Sequence, residues 1–216
     1  MNSRAARWQQ LALWGPAFAV LALHAVFATT YGIFRDELYY LACAARLDWG
    51  YVDHPPLVAG LTALWTGIFG DSLLSIRLLA ALAGAGTVAA AGAIARRLGG
   101  GNFAVALTGF AVGLSPIVLG LTSVLSMNVF DLLFWALACR LAVGLLETFR
   151  NRYFWLGGGL AGLLFAPHLL WQRAHGWPTL EFMANASRTK NLALDPLDFV
   201  AEQFLQTGPV HAVVWL

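Results

Sequence analysis

Leu57–Phe69, LVAGLTALWTGIF, is the stretch on which the fold turns. It is apolar throughout, with Pro55-Pro56 before it and Gly70-Asp71 after it. Its 13 residues make a helix of roughly 20 Å at 1.5 Å per residue. A bilayer's hydrocarbon core is about 30 Å thick. We therefore read it as a helix lying on the membrane surface or dipping partly into it. That reading puts the connections 31–72 and 172–202 on the same, outer face. A crossing helix at this point would put them on opposite faces.

The rest of the chain is read outward from there. Charge-free runs cover 8–34, 78–95, 98–130, 153–172 and 203–216, and a further apolar stretch, 131–146, contains Asp131 and Arg140. Of 216 residues, 59% are hydrophobic and only 11% are charged, against about 25% charged in a soluble domain. Disorder, a basic nucleic-acid module and an ordinary cytosolic enzyme are excluded. The net charge of +2 gives no reason to expect a nucleic-acid partner. Expected helices run over 10–30, 73–95, 103–122, 127–147, 153–171 and from 203 onward. The fold class is all-α, a single membrane domain over 1–216, a polytopic transmembrane bundle of about six spans plus interfacial helices. Gly109-x-x-x-Gly113, Gly158-x-x-x-Gly162 and the Ala/Gly-rich run 80–95 have the spacing of close helix packing in lipid. Arg4/Arg7, Arg96/Arg97 and Arg150/Arg152 flank inner connections, as the positive-inside rule expects. Cys43 and Cys139 should sit at different depths, which argues against a disulfide.

The outer connections then hold nine of the eleven acids. Two long acid-bearing loops over a bundle look like a site, since loops without a role are usually short. Arg35-Asp36-Glu37-Leu38-Tyr39-Tyr40 comes first. Asp36 either caps an amphipathic helix over 37–47 or serves as a general base toward an acceptor hydroxyl. Gly50-Tyr51-Val52-Asp53-His54-Pro55-Pro56-Leu57 follows. Its two prolines define the geometry of Asp53 and His54, which suit a divalent metal, orientation of a base, or a local hydrogen bond. Ser126-Met127-Asn128-Val129-Phe130-Asp131 places Asn128 and Asp131 on one helix face. An acid inside a span is a candidate functional group; the alternatives are a cap or a partner for Arg140. Last comes the segment from Trp171 to Phe182 with Arg173 and His175, followed by Asn185, Arg188 and Lys190. These cations suit a lipid phosphate or bilayer headgroups in general. His24 and His168 read as packed or hydrogen-bonded residues of the spans.

In this order the motifs resemble the dolichyl-phosphate-mannose protein mannosyltransferase and aminoarabinose transferase superfamily, multi-pass glycosyltransferases of the GT-C type. The resemblance rests on Arg35-Asp36-Glu37-x-Tyr-Tyr, Gly50-Tyr51-x-Asp53-x-Pro55-Pro56-Leu57, Arg77-Leu78, Ser126-Met127-Asn128 and His175-Gly176-Trp177-Pro178-Thr179. It runs over about residues 10–210. It implies transfer of a sugar from a polyprenyl-phosphate donor to a lipid, glycan or protein acceptor at the outer face, in a bacterial inner membrane. It puts the catalytic base on Asp36 with Glu37 beside it. It ties Asp53 and His54 to a possible divalent metal or to site architecture, and groups Asn128, Asp131, Arg173, His175, Arg188 and Lys190 around donor and acceptor. Family members are longer, so the chain is expected to be the N-terminal part of such a transferase. A truncated, silent relative and a small transporter are the competing readings.

Overall fold

The computed structural model describes residues 3–144, 152–189 and 194–208. Among the described residues the chain is all helical, with no strand. In order the helices are α1 Ser3–Phe27, α2 Arg35–Ala45, α3 Leu57–Phe69, α4 Leu73–Arg97, α5 Asn102–Gly113, α6 Pro116–Thr122, α7 Met127–Ala142, α8 Arg152–Ala174, α9 Pro178–Thr189 and α10 Pro196–Thr207. The short apolar helix occupies 57–69 as expected, ended by Gly70 at φ 78°. It packs against α2 and α4.

The expectation of six spans is corrected. Among the described residues three helices, α1, α4 and α8, are long and apolar enough to cross a membrane, or four segments if α5 and α6 are counted as one broken span. α5 and α6 meet at a bend of 63°. Pro116, at the first position of α6, lacks the N–H that would continue α5's hydrogen bonding. α7 has 16 residues, about 24 Å, short of the hydrocarbon thickness. Its predicted extension to 147 runs past 144 into residues outside those described. The expected span from 203 begins inside α10, a helix of 12 residues, and continues beyond the described residues.

α4 is the centre of the bundle, in contact with α1, α5 and α7. Small residues make this possible, because helices in lipid associate through close packing and not through expulsion of water. A Cβ on Gly84 would lie 2.8 Å from Thr122, and one on Gly92 would lie 3.3 Å from Leu13. The Gly109 and Gly113 pair does the same for α5 against α1, meeting Pro16 at 2.8 Å and Val20 at 2.6 Å. The expected packing of Gly158-x-x-x-Gly162 is not found. Both glycines of that motif in α8 face open space among the described residues, so that spacing marks no helix partner here.

The two ends of the bundle differ chemically. At one end Arg96 Nη2 donates to the Gln9 carbonyl at 2.8 Å, and Arg97 Nη1 donates to the Arg140 carbonyl at 2.9 Å. At the other end the connection 46–56 meets the junction of α8 and α9. The Gln172 amide there donates to the Tyr51 carbonyl at 3.3 Å, and the Thr179 hydroxyl to the Val52 carbonyl at 2.8 Å.

The two glycine motifs predict opposite responses. Gly109→Leu should destabilise the detergent-solubilised protein by about 1–3 kcal/mol through overpacking, whereas Gly162→Leu should leave the unfolding midpoint nearly unchanged. Equal midpoints for the two variants would contradict this packing.

Candidate functional site

The acid-bearing end is organised around a buried ion pair. Glu37 and Arg77 are almost wholly inaccessible. Arg77 Nε and Nη2 donate to the two carboxylate oxygens of Glu37 at 2.8 and 2.9 Å. The remaining guanidinium donors go to the carbonyls of Ala28, Tyr31 and Gly32 at 2.7 to 2.9 Å. Glu37 also accepts the Phe34 N–H at 2.7 Å. α2 thus starts at Arg35 and its first-turn N–H partner is Glu37, so the expected cap role of Asp36 is corrected. A catalytic role for Glu37 is corrected too. Its carboxylate has no surface on which an acceptor hydroxyl can meet it.

Asp36 has the opposite environment. It lies in the first turn of α2, where the helix dipole favours a carboxylate. Its side chain is 39% exposed, and Arg35 Nε approaches at 3.2 Å. One turn on, burial pushes the Tyr40 phenol up to about 12; a hydrogen bond with the Met127 backbone opposes the rise, and the charges of Asp53 and Asp36 add to it. Both acids therefore act on the same phenol, next to the start of α7.

The Gly50–Leu57 connection is tightly fitted. A Cβ on Gly50 would come within 2.6 Å of Trp171 and 2.9 Å of His168, so this backbone lies flat on α8. The Tyr39 hydroxyl donates to Asp53. Burial, and then that bond, push the Tyr39 phenol upward. His54 is buried among aromatic rings, with centroids at 4.7 Å from Tyr51, 5.0 Å from Tyr40 and 5.7 Å from Tyr39. Its Nδ1 lies 2.8 Å from the Pro55 carbonyl, which can only accept, so Nδ1 carries a proton. Nε2 has no hydrogen-bond partner among the described residues and lies 4.0 Å from Asp53. Asp53 and His54 provide two candidate metal donors. Among the described residues no third His, Cys, Asp or Glu joins them, so the pair does not fit a metal site.

Beside His54 a cavity of about 940 Å³ opens between α3, α7 and α8. Leu61, Leu64, Phe134 and Leu164 give it apolar walls, while His54, Asn128, Asp131 and His168 supply its polar groups. Asn128 and Asp131 do share a helix face, and that face lines the cavity. Asp131 forms no ion pair with Arg140 among the described residues. His168, expected as a packed or hydrogen-bonded residue, is buried with Nδ1 3.3 Å from the Trp49 carbonyl. His24 lies 2.8 Å from the Thr122 hydroxyl. Cys43 and Cys139 are both free.

The last motif divides. Arg173, His175 and Arg188 are exposed, and none lines the cavity. His175 stacks on Trp171 at 4.2 Å, and its Nδ1 lies 2.9 Å from that residue's carbonyl. Lys190 lies outside the described residues. Asp48, at the neighbouring connection, is held below the usual carboxylate range by the Trp49 N–H, then the Trp171 indole, then the His175 charge. The sequence marks the motif that holds Gln172 and Thr179 but gives neither residue a role of its own. Gln172 binds the Thr179 N–H and hydroxyl as well as the Tyr51 carbonyl, tying both long connections together. Spacing did not reveal them, because their partners are about 120 residues away.

These features define a membrane protein, all helical among the described residues, with a largely apolar pocket at its acid-bearing end. A family model for dolichyl-phosphate-mannose-protein mannosyltransferase matches residues 53–166. The chain belongs to that family, one of membrane glycosyltransferases of the GT-C type. The matched region contains Asp53, His54, Arg77, Asn128 and Asp131, with Asp36 and Glu37 just ahead of it. No curated protein and no solved structure matches the chain.

Removing one partner of the buried pair leaves the other charge without compensation. Arg77→Met should therefore cost about 3–5 kcal/mol. Arg77→Met combined with Glu37→Gln should cost less than Arg77→Met alone. Denaturant unfolding in detergent, compared with the exposed Arg35→Met, measures both; equal losses at Arg77 and Arg35 would contradict the assignment.

Proposed function

We propose that the protein transfers a sugar from a polyprenyl-phosphate donor to an acceptor hydroxyl, with Asp36 as general base. One observation carries the reading. The cavity between α3, α7 and α8 is apolar over most of its wall, and its polar groups come from the start of α3, the start of α7 and the last turns of α8, all at the acid-bearing end. That layout suits an amphipathic donor, with its isoprenoid chain against Leu61, Leu64, Phe134 and Leu164 and its sugar phosphate near His54 and Asn128.

The chemistry follows from the groups available. The Asp36 carboxylate takes the proton of the acceptor hydroxyl. The acceptor oxygen then bonds to the anomeric carbon as the bond from that carbon to the phosphate oxygen breaks, leaving the phosphate on the lipid. Direct displacement inverts the anomeric centre. Charge grows on the leaving phosphate, and cations near it lower the barrier. Arg173, His175 and Arg188, exposed and outside the cavity lining, are together with Lys190 the groups proposed to reach that phosphate as it leaves. His54 and Asp131 shape the pocket, with Asp53 beside His54, and no step is routed through a metal.

Sidedness rests on charge. The positive-inside rule puts the arginine end in the cytoplasm and the site outside, which fits a bacterial inner membrane. The acceptor is a lipid, glycan or protein hydroxyl, all of which the same base serves.

Asp36→Asn removes the base and leaves the volume unchanged. In membranes supplied with a radiolabelled polyprenyl-phosphate sugar, transfer should fall by about 10²–10⁴-fold, with the variant still inserted. Undiminished transfer, or a product with retained anomeric configuration, would overturn the proposal.

A further inference from the structure

The proposed reaction gives no part to Trp177, the residue that joins α8 to α9. α8 closes as many helices do. Gly176 turns into the left-handed region at φ 75°, its N–H donating to the Arg173 carbonyl at 3.4 Å, and the Trp177 N–H donates to the Gln172 carbonyl at 2.7 Å. α9 then starts at Pro178, and the Trp177 carbonyl accepts the Leu180 and Glu181 N–H groups at 3.0 and 3.4 Å. One residue thus ends the first helix and opens the second. It does so at φ 62°, and among the described residues every other positive φ belongs to a glycine.

Two local preferences are broken at this position. A left-handed residue is ordinarily glycine, asparagine or aspartate, because a Cβ crowds the carbonyl that follows. The residue before a helix is ordinarily serine, threonine, aspartate or asparagine, whose side chain takes a free N–H of the first turn. Tryptophan meets neither need. Nor is the ring engaged inside the fold: Trp177 stays 43% exposed, and among the described residues its indole joins no hydrogen bond and no ring pair. Strain kept at such a point marks a side chain required where it stands.

The neighbouring bonds fix where that is. Gln172 and Thr179, on either side of Trp177, are bonded to each other and to the carbonyls of Tyr51 and Val52. Val52 lies two residues before His54, which lines the cavity. His168, also a lining residue, lies six residues before the end of α8, about 9 Å along it. Trp177 therefore stands on the outer side of the cavity's polar end, beyond the place given to the donor phosphate. A membrane anchor needs no fixed backbone, since tryptophan reaches the headgroup level from any lipid-facing turn. A rigidly held ring suits a rigid ligand. The face of an indole is electron-rich, and the C–H bonds on one face of a pyranose present partial positive charge to it.

We propose that Trp177 is the platform on which the pyranose ring of the donor stacks, an inference that rests on the sugar-transfer reading of the cavity. The indole recognises the carbon face of the sugar, and the strained junction of α8 and α9 holds it in place over the phosphate site.

Native mass spectrometry of the full chain in neutral detergent tests this by comparing polyprenyl-phosphate mannose with polyprenyl phosphate of the same chain length. The unaltered protein should hold the mannose-bearing lipid about three- to tenfold more tightly, the worth of one aromatic contact. Trp177→Ala and Trp177→Gly should both abolish that difference without changing the binding of polyprenyl phosphate, and Trp177→Phe should keep part of it. Trp177→Gly should also unfold at a higher denaturant midpoint than Trp177→Ala, the reverse of their order inside a helix. No difference between the two lipids in the unaltered chain overturns the proposal, and so does an undiminished difference in Trp177→Ala. Equal loss of both lipids overturns it as well, being the mark of a membrane anchor, and so do equal midpoints, which would remove the strain. Binding is read without turnover, so absence of transfer with the lipid difference intact counts against the reaction and leaves the platform standing.

Discussion

A guanidinium cannot be taken out of water without full compensation, and Arg77 is the place where this chain meets that demand. The cost of burying an unpaired ion is several kcal/mol after relaxation. Five donors leave the Arg77 side chain and five acceptor contacts receive them, two on Glu37 and one each on Ala28, Tyr31 and Gly32. Those three carbonyls lie just beyond α1, where a helix end leaves acceptors without intrahelical donors. One side chain of α4 thus closes the end of α1, sets the path of residues 28–34 and pins the first turn of α2. Every other feature of the site is placed relative to that turn. Tyr39 and Tyr40 follow within it, Asp53 hangs from Tyr39, and His54 fits among the rings.

The bundle tolerates such a polar knot because its remaining contacts are made by small side chains. α4 meets α1, α5 and α7 through glycine and alanine, which lets backbones approach and dispersion forces act over a long contact. α8 stands apart from this arrangement, held at its last turns by Gly50, Tyr51 and the Gln172–Thr179 bonds. The separation has a consequence for the site: among the described residues the cavity of about 940 Å³ lies between the wall that α8 gives and the face of α7.

Much of the helical layout was legible because it depends on local signals. Pro55-Pro56 and Gly70 bracket α3, and apolar length separates it from α1, α4 and α8. What depends on distant partners was not legible. The bend between α5 and α6 hides in a run of continuous apolar character, where Ser115-Pro116 is a weak mark against more than thirty uncharged residues, 98–130. Gly109 and Gly158 open motifs of identical spacing, yet among the described residues only the first has a helix across from it. Within the site, the grouping of Asn128 and Asp131 followed from helix period alone. The fate of Glu37 did not, since its partner is 40 residues away.

The contrast between Asp36 and Glu37 shows why adjacent acids need not share a role. Successive residues of an α-helix point about 100° apart. Once the bundle claims one direction for Arg77, the neighbouring residue must project elsewhere. Glu37 satisfies the interior, with Leu125 N–H also approaching it at 3.4 Å. Asp36 is thereby held at the surface, on a backbone that cannot shift without breaking the buried pair. A general base gains most from being fixed near its target before the reaction begins. In the proposed reaction the Arg77–Glu37 pair therefore serves more than stability, because it anchors the helical turn that carries the Asp36 carboxylate.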